Sequence, residues 1–178
     1  MFDYQKFEND VLQQMKSVMD KWVRENSNLY IFSLDCAREM DSIGVIANTD
    51  RYLTEQSRPD SEDYWYYKYC EDEWELFDTF DNVSMNMRDY LAVNKERFVN
   101  SERHEFTKAF DEHCDKMIEC CINALIKFKE SIKQADLDII LTFNIREYFD
   151  GEERLEYFKR INGVNAVAEY SEHIDEFA

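Results

Sequence analysis

The stretch LYIFSLDCAREMDSIGVIANT, residues 29–49, decides the fold because it places two apolar segments on either side of a polar one. LYIFSLDC (29–36) and IGVIANT (43–49) are rich in the β-branched and aromatic residues that favour strands. The polar residues 37–42 between them are too many for a tight two-residue turn. The pattern therefore predicts an antiparallel hairpin with a longer loop.

Two further segments have the composition of strands. YWYYKY (64–69) predicts a third strand, on which side chains alternate between the two faces and Lys68 marks the wetter one. LDIILTFNI (137–145) is the most apolar strand candidate of the chain. Because its centre is apolar on both faces, it is predicted to be a central strand of the sheet.

The remaining segments show helical spacing. Phe7, Val11 and Met15 begin an apolar stripe that predicts a first helix of about 22 residues. Trp74, Phe77 and Phe80, three residues apart, predict a helix within 70–80. Residues 50–61, with the single proline, predict a loop with one helical turn. Further helices are predicted at 84–99, at 101–132 with Ser101 as N-cap, and at 152–161 and 165–177. Together these elements predict one α+β domain over residues 1–178, with an antiparallel or mixed sheet of about four strands packed with long amphipathic helices.

The negative charge of the chain is concentrated in particular regions. The net charge is −18, and residues 58–82 carry nine acidic and two basic side chains. Such a field repels phosphate groups, so we expect neither a nucleic acid nor an anionic membrane as partner. A basic protein partner fits the sign of the charge, and so does a simple role in solubility. The acidic N-terminus is not that of a signal peptide, and together with the odd number of cysteines it predicts a reduced, cytoplasmic protein.

The sequence carries no familiar catalytic or cofactor motif. Three glycines cannot supply a phosphate-binding loop or a dinucleotide fingerprint, and there is no G-x-S-x-G. Cys114 and Cys121 are seven residues apart on one predicted helix, about 10.5 Å, which is too far for two sulfurs to bind one zinc ion. The cysteines are therefore expected in the core, and His104 and His113 at the surface. We predict no catalytic residue, no metal site and no cofactor.

Short motifs along the chain resemble a known family. These are Tyr30, Phe32 and Leu34 in the first strand, Asn48-Thr49 at the end of the second, Glu73-Trp74, and Asn162 after Ile161. The series resembles a widespread bacterial family of unknown function, number 4303 among the domains of that kind, over roughly residues 5–170. The chain departs from the family pattern at 144–146, where an aspartate is more usual. The resemblance implies an α+β fold without established catalytic residues and an association with toxin–immunity loci.

The acidic and aromatic segment around 62–78 leads to the main functional hypothesis. Aromatic rings supply binding energy at interfaces, and carboxylates attract and bind Lys or Arg. We therefore expect an immunity-like protein that occludes a basic partner. The predicted binding residues are Asp60, Glu62, Asp63, Tyr64, Tyr66, Glu71, Asp72, Glu73, Trp74 and Glu75. The alternatives are a carboxylate-dependent hydrolase or metal-dependent enzyme, and a homodimer whose exposed aromatic residues are self-complementary.

Overall fold

The computed structural model describes residues 1–26, 28–100, 102–145 and 148–176 and shows an α+β fold. The strands are β1 (Leu29–Cys36), β2 (Ile43–Thr49), β3 (Leu76–Thr79), β4 (Val99–Asn100), β5 (Glu105–Phe106) and β6 (Ile140–Ile145). The helices are α1 (Tyr4–Glu25), α2 (Asp50–Gln56), α3 (Tyr64–Tyr69), α4 (Asp81–Val93), α5 (Lys95–Phe98), α6 (Lys108–Gln134), α7 (Gly151–Asn162) and α8 (Val167–Glu172). Short 3-10 turns cover Glu71–Glu73, Val164–Ala166 and Ile174–Glu176.

The predicted hairpin forms the middle of a four-stranded mixed sheet. β1 and β2 pair antiparallel, with Phe32 opposite Ala47, and the strand order is β3-β2-β1-β6. β3 is antiparallel to β2, whereas β6 is parallel to β1. A separate two-stranded ribbon pairs β4 with β5. The predicted fold class, with a mixed sheet of four strands packed with helices, is confirmed.

The first face of the sheet carries the main core. Phe32 and Leu34 of β1 point into it together with the apolar stripes of α1 and α6. The stripe of α1 is buried as predicted, and the Asp3 side chain caps the helix by accepting a hydrogen bond from the Lys6 backbone N–H at 2.9 Å. No helix among the described residues is long and apolar enough to cross a membrane.

The second face carries a smaller cluster that brings α3, α7 and α8 onto the sheet. Ile31 lies at its centre, between the strands and the rings of Tyr69, Trp74, Phe158 and Tyr170. The Phe158 and Tyr170 rings are stacked with their centroids 3.9 Å apart. The two clusters together bury both faces of β1.

The structure corrects the prediction for residues 64–80. YWYYKY is the helix α3 and not a strand, because packing of Trp65 and Tyr69 on the second face outweighs the strand preference of aromatic residues. Residues 70–80 are not a helix: the 3-10 turn is followed by β3. Trp74 and Phe80 are buried, but Phe77 is exposed, so the spacing of three does not mark one helical face.

Three further predictions in the second half of the chain are wrong. β6 lies at an edge of the sheet and is not a central strand; most of its residues are nevertheless buried, because helices cover both faces of the sheet. The long helix α6 begins at Lys108, because the β4–β5 ribbon precedes it. Ser101, the predicted N-cap, lies outside the described residues. His113 is not at the surface but buried, with only 3% of its surface exposed.

Candidate binding surface

The segment between β2 and β3 carries all ten predicted binding residues. It begins at Thr49, whose side chain caps α2 by accepting a hydrogen bond from the Tyr52 backbone N–H at 3.2 Å. The same hydroxyl donates to the carboxylate of Glu75, which also lies 3.4 Å from the Arg51 guanidinium. Both ends of the segment are thus joined, and Glu75 is held at the boundary between α2 and β3.

One side of α3 is fixed to the body of the protein. The Tyr30 hydroxyl donates to the Lys68 backbone carbonyl at 3.0 Å, and the Trp65 ring is stacked on His173 with centroids 3.9 Å apart. Tyr69 is buried, and its hydroxyl donates to Glu169. Burial and this hydrogen bond raise the pKa of Tyr69 above its ordinary value. The inner side of the aromatic helix is therefore structural.

Lys68 is the single cationic side chain within the aromatic helix, and it is also used internally. Its ammonium lies 2.6 Å from a carboxylate oxygen of Glu169 and 4.8 Å from the centroid of the Trp65 ring. Burial opposes ionisation of Glu169, but the hydrogen bonds from Lys68 and Tyr69 outweigh it and lower the pKa of this carboxyl group. Lys68 therefore ties α3 to α8 and does not neutralise the acidic residues on the outer side.

Two of the predicted binding residues are part of the interior. Glu71 accepts hydrogen bonds from the Arg154 guanidinium at 3.0 and 2.8 Å, and the two side chains are only 5% and 9% exposed. Burial opposes the charge of Arg154, yet the adjacent carboxylate of Glu71 raises its pKa above the ordinary value. Trp74 is 8% exposed and packs in the cluster around Ile31. Neither Glu71 nor Trp74 is available to a partner.

The outer side of the segment keeps the rest of the predicted set. Asp60, Glu62, Asp63, Tyr66 and Asp72 are exposed, and Tyr64, Glu73 and Glu75 are half-buried. The Tyr66 hydroxyl donates to Glu73 at 3.0 Å, and this hydrogen bond raises the pKa of Tyr66. Tyr66 follows Asp63 by one helical turn, so Asp63, Tyr66 and Glu73 share one side. We call this surface the α3 ridge; it comprises Asp60, Glu62, Asp63, Tyr64, Tyr66, Asp72 and Glu73.

A groove of about 680 Å³ lies beside β3 and was not foreseen from the sequence. Strand register places Asp35, Gly44 and Thr79 in one row across the second face of the sheet. Its lining includes Asp35, Arg38, Glu39, Phe77, Asp78, Thr79, Asp81 and Arg88. These residues come from separate elements, so no local motif marks the groove. The available signal was Asp35, the single charged residue of the mostly apolar strand β1.

A comparison with protein families shows which family the chain belongs to. The family model described as "Domain of unknown function (DUF4303)" matches residues 11–163. The chain belongs to this family. Neither a curated protein nor a solved structure matches the chain. The match begins within α1 and ends just after α7, so the sheet, the α3 ridge and the groove belong to the DUF4303 domain, whereas α8 lies outside the match.

The residues on which the DUF4303 resemblance rests have structural contacts. Asn48 donates to the Tyr30 hydroxyl at 3.3 Å and accepts from the Thr49 backbone N–H at 3.0 Å. Asn162 accepts from the Leu141 N–H at 3.0 Å and donates to the Leu141 carbonyl at 2.6 Å. Its amide thus pairs with the outer edge of β6 as a neighbouring strand would. At the departure from the family pattern, Asn144 donates to Asp35 at 3.4 Å, and Arg146 lies outside the described residues.

The thiols of the DUF4303 chain are those of a packed core, as predicted. Cys36, Cys114, Cys120 and Cys121 are buried, and Cys70 is half-buried. Burial raises the pKa of Cys120 to about 11 and that of Cys114 to about 12, so both remain protonated thiols near neutral pH. Among the residues with described positions, no group of three or more His, Cys, Asp or Glu side chains is arranged to hold a metal ion.

Proposed function

We propose that this DUF4303 chain is a non-enzymatic binding protein of the bacterial cytoplasm that occludes a basic protein partner, in the manner of an immunity protein. The observation that carries the proposal is the α3 ridge, where exposed carboxylates surround two tyrosines on a helix whose other side is fixed. Tyrosine contributes large contact area with few rotatable bonds, and a helix already held in place loses little further freedom on binding.

The charges of the ridge fit a cationic surface. Asp60 is 3.7 Å from Arg58 in a largely exposed pair that contributes little, and the single lysine of α3 is bound to Glu169. Glu62 has no ion pair among the described residues. Exposed charges at an interface mainly accelerate association, and their effect weakens as salt shortens the screening length from about 10 Å at 0.1 M to about 3 Å at 1 M.

A capture experiment with two matched variants tests the proposal. The purified chain is immobilised and exposed to an extract of its native host at low and at high salt. We expect it to retain a basic protein that dissociates when the salt concentration rises. The double variant Asp60→Lys/Glu62→Lys is expected to lose this protein. The control Glu102→Lys/Glu130→Lys, which changes net charge equally at exposed positions on other elements, is expected to retain it.

The result can contradict the proposal in two ways. If the wild-type chain retains no basic protein at low salt, there is no partner of the proposed class. If both double variants lose the partner equally, total charge and not the α3 ridge is responsible. Light scattering on the purified chain separately tests the homodimer alternative, since a monomer would rule it out.

A second candidate function rests on the groove beside β3. Its lining includes Asp35, Glu39 and Asp81 together with Arg38 and Arg88, which are residue types that a carboxylate-dependent hydrolase or metal-dependent enzyme uses, although the described carboxylates are not grouped as metal ligands. A melting temperature that rises with Mg²⁺, Mn²⁺ or Ca²⁺ in the wild-type chain, but not in Asp35→Asn, would support this candidate. An unchanged melting temperature would argue against a metal-dependent enzyme.

A further inference from the structure

The two edge strands of the sheet, β6 and β3, differ in how far side chains cover their outward backbone groups. At the β6 edge, the Asn162 amide satisfies both backbone groups of Leu141, and the Lys129 ammonium lies 2.5 Å from the Ile139 carbonyl as a donor. Side chains therefore satisfy backbone groups along the first part of this edge. At the other edge, β3 makes extensive contact only with β2 within the described part of the chain. An edge without such cover presents backbone groups that can pair with another strand.

The pairing register with β2 shows which backbone N–H and C=O groups of β3 face away from the sheet. The Phe80 N–H donates to the Ile43 carbonyl at 3.0 Å, and Thr79 lies opposite Gly44. Hydrogen-bonded and non-hydrogen-bonded pairs alternate in an antiparallel ladder. The backbone groups of Asp78 therefore face β2, whereas those of Phe77 and Thr79 face outward. These two residues are about 7 Å apart, the repeat of a strand that pairs from one side.

The side chains along this edge indicate what kind of segment would pair with it. Phe77 is 78% exposed on the groove side and offers a large apolar contact. Asp78 lies on the opposite face, 3.7 Å from the exposed Lys21. A pairing strand would thus place an apolar side chain beside Phe77 and its next side chain beside Asp78. Opposite charges that face each other across two strands stabilise the pair.

The charge excludes a second copy of the chain as the favoured occupant. Asp78 and Asp81 lie on or next to the edge, and the described residues that line the groove include four acidic residues and two arginines. A second copy would bring the same edge and a net charge of −18, so like charges would oppose its approach. A segment with Lys or Arg at alternate positions complements the edge instead.

We propose that the β3 edge receives an extended segment of alternating basic and apolar residues as a fifth strand of the sheet. This inference rests on the proposed function, because the segment would belong to the basic protein partner. Backbone hydrogen bonds to Phe77 and Thr79 would supply affinity, and Phe77 and Asp78 would supply selectivity. The α3 ridge precedes β3 directly in the chain, so one partner can contact both.

Hydrogen exchange with a synthetic peptide tests the inference. The probe is acetyl-KVKVKVKV-amide at low salt, and its control has proline at the two central valines with the same charge. With the first peptide at saturation, amide exchange of Phe77 and Thr79 is expected to slow at least about tenfold, whereas Asp78, already bonded to β2, changes little. The proline peptide is expected to give no protection, because proline cannot donate to the ladder. Unchanged exchange at Phe77 and Thr79 would overturn the inference.

Two variants separate this inference from the proposed function. Phe77→Pro removes an outward N–H without removing a hydrogen bond to β2, and Phe77→Thr keeps that N–H but removes the ring. In the capture experiment, both variants are expected to retain less of the basic protein, with Phe77→Pro at least about tenfold weaker. If Phe77→Pro captures as well as wild type while Asp60→Lys/Glu62→Lys does not, the fifth strand is wrong and the proposed function stands. If wild type captures nothing, the proposed function itself fails.

Discussion

Stability of the chain should fall in weakly acidic solution because of one buried histidine. His113 lies among the rings of Phe2, Tyr90 and Phe98, and its Nδ1 is 2.8 Å from the Tyr4 hydroxyl oxygen. Burial, assisted by the positive charges of Arg97 and Lys116, lowers the pKa of His113 from 6.5 to about 4. The imidazole is therefore neutral in the folded protein at any pH above about 4.

Proton linkage gives the sign and the size of the stability loss caused by His113. Between pH 6.5 and about 4 the unfolded chain binds a proton at His113 that the folded chain does not, so stability is lost as the pH falls through this window. One pKa unit corresponds to about 1.4 kcal/mol, which gives a loss of about 2 kcal/mol at pH 5 and about 3 kcal/mol below pH 4. Carboxylates contribute to the total pH dependence as well, so the histidine has to be isolated by substitution.

The assay compares His113→Gln with wild type by urea unfolding at pH 7.5 and pH 5, followed by tryptophan fluorescence. Glutamine keeps a polar partner for Tyr4 but does not titrate. Between the two pH values, wild type is expected to lose about 2 kcal/mol more than His113→Gln. His104→Asn, which removes an exposed histidine at a left-handed backbone position, is the control for loss of an imidazole. Equal pH dependence of wild type and His113→Gln would refute the reasoning.

Three further substitutions test the framework of the candidate surface. Glu71→Ala leaves the Arg154 guanidinium buried without its carboxylate and is expected to cost about 3–5 kcal/mol in urea unfolding, whereas the double change Glu71→Met/Arg154→Met should restore most of the loss. Gly44→Ala would place its Cβ 2.5 Å from a backbone oxygen of β3, so β3 must shift. The free energy of unfolding should fall by about 1–3 kcal/mol, and the melting temperature by several degrees. Asn162→Leu leaves both backbone groups of Leu141 unpaired and should cost about 2–4 kcal/mol, with faster exchange of the Leu141 amide as its signature.

The sequence predicts most of the scaffold because local patterns determine it. The stripe of α1 and the composition of β1 and β2 depend on nearest neighbours, and the structure has these elements where the sequence predicts them. The segment 64–80 behaves differently. Its strand, β3, exists because β2 offers it a partner, and its helix, α3, exists because Ile31 and Tyr170 receive its rings. Neither partner can be recognised from the segment alone.

The sequence predicts correctly only those residues of the candidate surface whose exposure follows from their position in a loop. Asp60, Glu62 and Asp63 lie beside the only proline and are exposed, as loop residues are expected to be. Glu71 and Trp74 lie in the same acidic and aromatic segment but are buried. Glu71 pairs with Arg154, and Trp74 packs against Ile31, and both of these partners are distant in sequence. His113 lies next to the apolar stripe of α6, and it is enclosed by residues distant in sequence, namely Phe2, Tyr4, Tyr90 and Phe98.

The position of α8 has a practical consequence for recombinant work. This helix lies beyond the matched family region, yet its Tyr170 covers Phe158 and its Glu169 holds Lys68 and Tyr69. A shortened protein trimmed at residue 163 would uncover aromatic rings that are now shielded from water. Such a product would be prone to self-association during purification, so expression of this domain has to extend at least to residue 176.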